Sequence, residues 1–437
     1  MPEPESTTCA ISGGGPAGVM LGLLLARAGV QVTVLEKHGD FLRDFRGDTV
    51  HPSTLQVLDE LGLVDELERI PHRDLTTFRM ITRDGPLIDA DVRRFPSTGQ
   101  HRHVAMIPQW DFLTLLVEHA RRYPTFRLLM NAETLGPIEH DGAIRGLRYR
   151  DADGEHELRA VLTVAADGRR SDLRRAAGMI PLDFGAPMDA LWLRVSRRPG
   201  DDGDSGLTAY IGRGAMGAAI DRGTYWQIAF LIPKGSYQRI KEQGLEGLRT
   251  RLARLFPFLG GRVNEIDDWD KVAFLEVGLN RLRHWDRPGL LAIGDAAHTM
   301  SPIGGVGINL AVQDAVATAN LLAGPLLRAQ ADPARFDKTL HPRLVQRVQR
   351  RRMLPTVGTQ YVQLVAQRGL VGKVLDGEMP RLPAILSGGC ARRLMSQLLM
   401  RIMLYGIRPE HVRTPERAPS GVPTPERDRV TQPPGPT

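Results

Sequence analysis

The sequence predicts an α/β fold: a Rossmann-like nucleotide-binding domain, a smaller antiparallel sheet inserted within it, and C-terminal helices. Three observations predict it. Residues 7–36 read as strand, glycine turn, helix and strand. Residues 190–233 break into short strand-like runs separated by glycine and aspartate turns. From residue 310 onward the apolar residues recur at helical spacing.

The first unit carries Gly13-Gly14-Gly15-Pro16-Ala17-Gly18 after the strand 7–12, then an apolar helix ending at Gly29 and a strand ending at Glu36 and Lys37. The spacing Gly-x-Gly-x-x-Gly permits a tight turn, close approach of a pyrophosphate and close helix–strand packing. Glu36 stands where an acid hydrogen-bonds a ribose hydroxyl. Arg46-Gly47-Asp48 lies in a loop before a helix running from Pro52 to Gly62. Residues 77–95 alternate as strands of a second sheet. A helix follows Gln109, with Asp111 as its expected cap, and runs to Tyr123. Residues 126–130 return to the first sheet, and Asp153-Gly154 turns a hairpin of residues 147–150 and 157–166. The hairpin delivers Asp167-Gly168 to a helix start. Four strands are expected at 191–195, 207–212, 216–220 and 224–233, then a helix at 245–256 and a strand at 271–277.

The apolar run 290–293 delivers Gly294-Asp295. Pro302 and three glycines (304, 305 and 307) follow, then Ile308, Asn309 and a helix over 310–327. A glycine-rich loop opening a helix points unpaired N–H groups and the positive end of the helix dipole at whatever lies in front. Separate helices are expected at 333–352, 355–368 and 391–405. The proline-rich residues 409–437, with Thr-Pro-Glu-Arg repeated at 414–417 and 424–427, read as a disordered tail. The domains are expected at 1–76, 106–182 and 279–330 for nucleotide binding, with 77–105 and 183–278 for the second sheet and 331–408 for the helical region.

The chain has 437 residues, 42% hydrophobic and 24% charged, as in ordinary globular proteins. Its net charge of +7 comes with scattered arginines, 5% aromatics and no nucleic-acid motif, so nucleic acid is not an expected partner. Two cysteines make neither a disulfide framework nor a metal set, and no metal is expected. The polar N-terminus has no apolar signal core, and no charge-free apolar run reaches the roughly 18 residues of a membrane span. A cytoplasmic monomer or homodimer is expected.

Taken in order, Gly13-x-Gly15-x-x-Gly18, Asp167-Gly168 and Gly294-Asp295 with Pro302 resemble the FAD-dependent aromatic hydroxylases of the para-hydroxybenzoate hydroxylase type. The resemblance covers roughly residues 7–327. It implies FAD as cofactor, NADPH or NADH as reductant, and O2 that reacts at the flavin C4a carbon to give a hydroperoxide. An electron-rich aromatic or enol-like molecule would take one oxygen. By the same resemblance Gly13, Gly15, Pro16, Ala17 and Gly18 cradle the pyrophosphate, and Glu36 with Lys37 meets the adenosine. Arg46 approaches the phosphates, Gln109 the flavin side and Thr134 the adenine. Asp167 and Gly168 match the dual FAD/NAD(P)H fingerprint, and Asp295 holds the ribityl or ribose hydroxyls. Pro302, Gly305, Gly307, Ile308 and Asn309 lie against the isoalloxazine. Val306 stands where the family carries glutamine, which leaves the substrate open.

The catalytic candidates are His51, Tyr210, Tyr225 and Gln227. His298 is read as a brace for its loop, and Trp192 and Trp226 as packing. Two other oxygenations share the scaffold. A halogenase carries Trp-x-Trp-x-Ile-Pro, which Trp226-Gln227-Ile228 does not supply, whereas an epoxidase stays open. A non-catalytic FAD-binding module is the alternative from a different class.

Overall fold

The computed structural model describes residues 5–42, 49–94, 100–201, 206–332, 334–378, 398 and 400–417. The strand Glu5–Ser12 runs parallel to Val32–Leu35 on one side and to Gly154–Ala165 on the other. Phe126–Leu129 extends the sheet beyond Val32–Leu35, and Leu290–Ala292 extends it beyond Gly154–Ala165, both parallel. Their carboxyl ends therefore share one edge, and Gly13, Glu36, Asp167 and Gly294 all arrive there. The antiparallel strands Glu133–His140 and Ala143–Asp151 continue from Gly154–Ala165. Helices Pro16–Arg27 and Gly307–Gln330 pack on each other over the sheet, with Leu21, Leu24, Val312 and Val316 fully buried. Proline at its first position starts Pro16–Arg27; Gly29, at φ +89°, ends it by donating to the Ala26 carbonyl at 2.8 Å.

Among the described residues the second sheet has seven strands, in the order 273–275, 188–196, 225–233, 215–221, 206–212, 77–82 and 85–91. Side chains alternate across it. Leu191, Leu193, Ile228 and Phe230 pack on Leu248, Leu252 and Phe256. Ala190, Trp192, Gln227, Ala229 and Leu231 take the opposite face, toward the first sheet's carboxyl edge.

Three expectations are corrected. Gln109–Ala120 starts three residues early with Pro108 as its cap, so Asp111 sits inside the first turn, where an acid still suits the helix dipole. Pro355 does not separate two helices: Pro342–Ala366 runs through it and continues as a π-helical turn at Gln367–Gly372. Packing against Gly307–Gln330 carries the helix across the hydrogen bond that proline lacks. Residues 409–417, expected in the disordered tail, are fixed to the body. The buried Glu410 carboxylate accepts from Arg351 Nε at 2.7 Å, and the Arg417 N–H donates to the Arg27 carbonyl at 2.9 Å. The remaining tail lies outside the described residues. Among the described residues one helix, Ile303–Gln330, is long and apolar enough to cross a membrane, and 72% of its apolar window is buried inside the fold.

Candidate active site

A cavity of about 1270 Å³ opens where the carboxyl edge of the first sheet meets the inner face of the second. The first glycine turn forms one end. Gly13 has φ +106°, and a Cβ there would lie 2.5 Å from the Ala166 carbonyl oxygen; a Cβ on Gly18 would lie 2.0 Å from that of Gly13. Both positions need glycine to bring helix and strand together. Gly18 therefore sits behind the turn, while Gly13, Gly15, Pro16 and Ala17 line the cavity. Glu36 accepts from the Gly14 N–H at 3.0 Å and from the His38 N–H at 3.1 Å, which fixes its carboxylate beside the turn. Lys37 lines the same end, as does Thr134, whose hydroxyl accepts from Ser12 at 2.8 Å.

Asp167 is held by its own helix start. Ser171 Oγ and the Leu173 N–H donate to its two oxygens, the latter at 3.1 Å, and burial pushes the carboxyl above its ordinary range. Gly168 beside it lines the cavity, as does Gln109 at the first position of its helix. Arg46 lies outside the described residues.

The loop 294–309 forms the opposite wall. Asp295 lines the cavity, and burial pushes its carboxyl up against the opposing influence of Arg169. Behind it the fully buried Asp314 accepts from the Gly294 N–H at 3.1 Å, meets His298 Nε2 at 2.6 Å and accepts from Arg352 Nε at 2.8 Å. Burial would raise the Asp314 carboxyl, but His298 and Arg352 outweigh it and hold it below the ordinary carboxylate range. His298 is thus a brace, with its ring against Trp285 at 4.9 Å between centroids. Pro302, Gly305, Gly307 and Ile308 line the cavity. The N–H groups of residues 307–309 have no intrahelical acceptor, since the first such bond runs from Leu310 to Val306. Asn309 is the exception in this stretch. It is buried off the cavity and its side chain accepts from Ser53 Oγ at 2.7 Å and Thr54 Oγ1 at 2.8 Å, stitching two helix starts together.

The catalytic candidates divide. His51 and Gln227 line the cavity; Tyr210 and Tyr225 do not. Tyr210 points to the other face of its strand and packs on Phe256 and Phe258, 5.1 and 5.7 Å away, because neighbouring strand residues face opposite ways. Tyr225 shares the face of Gln227 but lies past the cavity, under the Arg194 guanidinium at 4.6 Å. His51 Nε2 meets the Gly305 carbonyl at 3.2 Å. An acceptor there requires the proton on Nε2, so Nδ1 carries the lone pair, and among the described residues it has no partner. Burial pushes His51 down to about 4, so the ring is neutral in the fold. The unfolded chain binds the extra proton between about pH 6.5 and about 4, so stability falls as the pH drops through that window. We expect acidification from pH ~7.5 to ~5 to cost the wild type roughly 2 kcal/mol that His51→Gln does not lose, as read by urea unfolding at the two pH values.

Sequence reasoning missed two contributors. Trp192, read as packing, lines the cavity with its indole N–H buried and without a partner among the described residues. Met400, Met403 and Leu404 come from the far end of the chain to close the cavity. A Cβ on Gly304 would lie 1.7 Å from Met403 Cε, so this segment bears directly on the glycine loop. The Met/Leu-rich pattern of residues 394–407 was the available signal.

The cavity fits a dinucleotide. A Cβ on Gly15, Gly168 or Gly307 would meet no atom of the described residues within 4 Å, and all three line the cavity. Two helix N-termini, those of Pro16–Arg27 and Gly307–Gln330, open on it from opposite ends, suited to a pyrophosphate and to an electron-rich ring edge. The known proteins agree. A family model described as FAD binding domain matches residues 6–350. The 6-methylpretetramide 4-monooxygenase of Streptomyces rimosus is 31% identical over 418 residues, covering 93% of this chain and 94% of that protein. The 3-demethoxyubiquinol 3-hydroxylase of Escherichia coli is 25% identical over 327 residues, covering 73% and 80%. The crystal structure of p-nitrophenol 4-monooxygenase PnpA from Pseudomonas putida shares the fold with a TM-score of 0.71 at 20% identity, covering 92% of this chain and 100% of that one. The glycine turns, the cavity they open on and these relatives place the chain in the family of FAD-dependent aromatic monooxygenases.

Proposed function

We propose that this enzyme uses NAD(P)H and O2 to hydroxylate an aromatic or enol-like small molecule, in the cytoplasm, and that the residues around the cavity divide the work as follows. The observation that carries the reading is the pair of helix N-termini opening on one cavity with Asp295 between them and an apolar chamber beyond. When bound, FAD supplies the redox chemistry: it takes electrons from NAD(P)H and activates O2 so that one oxygen atom is transferred. The protein binds, orients and shields. Gly13, Gly15 and the N–H groups of Ala17 and Gly18 receive the pyrophosphate, and Glu36 receives the ribose. Asp295 holds the polyol. The N–H groups of Gly307 and Ile308 stabilise negative charge on the flavin edge. The apolar sheet face and the 400–405 helix exclude water from the oxygen-transfer step. His51, neutral with its lone pair on Nδ1, accepts a hydrogen bond from a phenolic hydroxyl.

Adding FAD to the purified protein tests this. The bound flavin should show its visible bands, and an aromatic substrate should accelerate NAD(P)H and O2 consumption. A protein that takes up no flavin would sink the reading; one that takes it up but never oxidises NAD(P)H would favour the non-catalytic module. Asp295→Ala is expected to weaken FAD retention about 10-fold or more at near-normal stability, the loss of a charged hydrogen bond. His298→Ala should instead lower stability, and equal flavin loss in both would contradict the bracing role.

A further inference from the structure

The cavity has two electrostatic halves. Its charged lining side chains, Glu36, Lys37, Asp167, Arg169, Arg175 and Asp295 among them, belong to the glycine-turn end and the mouth. The second sheet and the 400–405 helix form most of the other half, and Glu276, just past the strand 273–275, is exposed and paired with Arg170 at 3.2 Å. Among the described lining residues, none from the strands Thr77–Thr82, Met188–Ser196, Gly206–Gly212, Ala215–Asp221 and Tyr225–Pro233, or from residues 400–405, carries a charge. A buried carboxylate without a cation costs several kcal/mol, and among the described residues that half offers an aromatic acid no cationic partner.

The extent of the floor speaks to size. Met80, Ala209, Met216, Leu231 and Trp192 come from five adjacent strands, and at the usual strand spacing that floor is about 19 Å across, several times the width of one ring. Its polar features are few and specific. Trp192 pairs with Ala229 and Arg194 with Gln227, so Trp192 and Gln227 are diagonal neighbours on one face. The Trp192 indole nitrogen and the Gln227 side-chain oxygen are both buried and have no hydrogen-bond partner among the described residues. Indole N–H can only donate and the amide oxygen can only accept. Together they complement a carbonyl beside a hydroxyl.

We infer that the substrate is a neutral fused-ring phenol carrying a carbonyl next to its hydroxyl, held flat between this floor and Met403, and that single-ring aromatic acids are rejected. The inference rests on the hydroxylase reading above and narrows its substrate class. Leaving the two floor atoms unpaired costs about 1–3 kcal/mol each, so the substrate that pairs them gains affinity and orientation at once. Met403 contributes from beyond the matched FAD-binding residues, so the discriminating wall is carried by the chain's C-terminal segment.

Titration calorimetry on the FAD-loaded protein tests it, with chrysazin (a neutral dihydroxyanthraquinone) and para-hydroxybenzoate as probes. Chrysazin should bind about 100-fold tighter. Trp192→Phe should weaken it about 10-fold at unchanged FAD content and unfolding midpoint, and Met403→Ala should weaken it too. Equal or tighter binding of para-hydroxybenzoate, or a Trp192→Phe variant with wild-type affinity, would overturn the inference. Failure of the wider reading looks different, because the flavin bands required before the titration would be missing.

Discussion

Gly15→Asp is expected to give a folded protein that no longer retains FAD. Gly15 has φ −78° and ψ −176°, so its backbone suits any residue, and among the described residues a Cβ there meets no atom within 4 Å. It is the N-cap of Pro16–Arg27, a position where aspartate is favourable. The fold should therefore tolerate the change. The same carboxylate stands in the cavity before the helix N-terminus, where the pyrophosphate is to sit. Two like charges about 4 Å apart near a protein surface repel by about 4 kcal/mol, so FAD affinity should fall roughly 100-fold or more. Fluorescence titration with FAD reads the loss, and circular dichroism with thermal unfolding of the apoprotein reads the fold. Wild-type affinity in this variant would move the pyrophosphate elsewhere.

Asp314→Ala is expected to cost stability on the scale of breaking a buried ion pair, roughly 3–5 kcal/mol. Asp314 is fully buried and serves Gly294, His298 and Arg352 together. Its removal strands the Arg352 guanidinium, itself 1% exposed, with Glu410 no nearer than 3.8 Å. Because the Asp314 carboxyl is held below the ordinary range, its contribution is complete above the unfolded carboxylate pKa and fades as pH falls through the lower folded one. Asp314→Ala should thus flatten the acid limb of the stability profile as well as lower its plateau. Urea unfolding across pH reads both, and a loss under about 1 kcal/mol at neutral pH would contradict the network.

The two variants also mark where the sequence was readable. The glycine turns were legible because the Gly-x-Gly-x-x-Gly spacing is local: Gly18 answers to the Gly13 carbonyl within one strand–turn–helix unit, although Gly13 itself answers to Ala166 at the end of the neighbouring strand. The Asp314 network was not, because its partners lie 16 and 38 residues away on different elements. On the second sheet the strands were evident from alternation, yet alternation does not say which face a ligand meets. Tyr210 and Trp192 therefore exchanged roles, the tyrosine into packing and the tryptophan into the cavity wall. Asn309 was placed by its neighbours in the motif, and its side chain proved committed to Ser53 and Thr54. The closing wall was hidden for a different reason. Met403 belongs to a segment that returns from the end of the chain and is pinned by Glu410, a contact no periodicity announces.

The central claim is that oxygen from O2 is transferred to an aromatic molecule in this cavity. Turnover of an accepted phenol under isotopically heavy O2, with FAD and NAD(P)H present, tests it most directly by mass spectrometry of the product. The product should carry one heavy oxygen atom when the gas is labelled and none when only the water is. A product labelled from water, or NAD(P)H oxidation that yields hydrogen peroxide and no oxygenated product with every phenol tried, would contradict it.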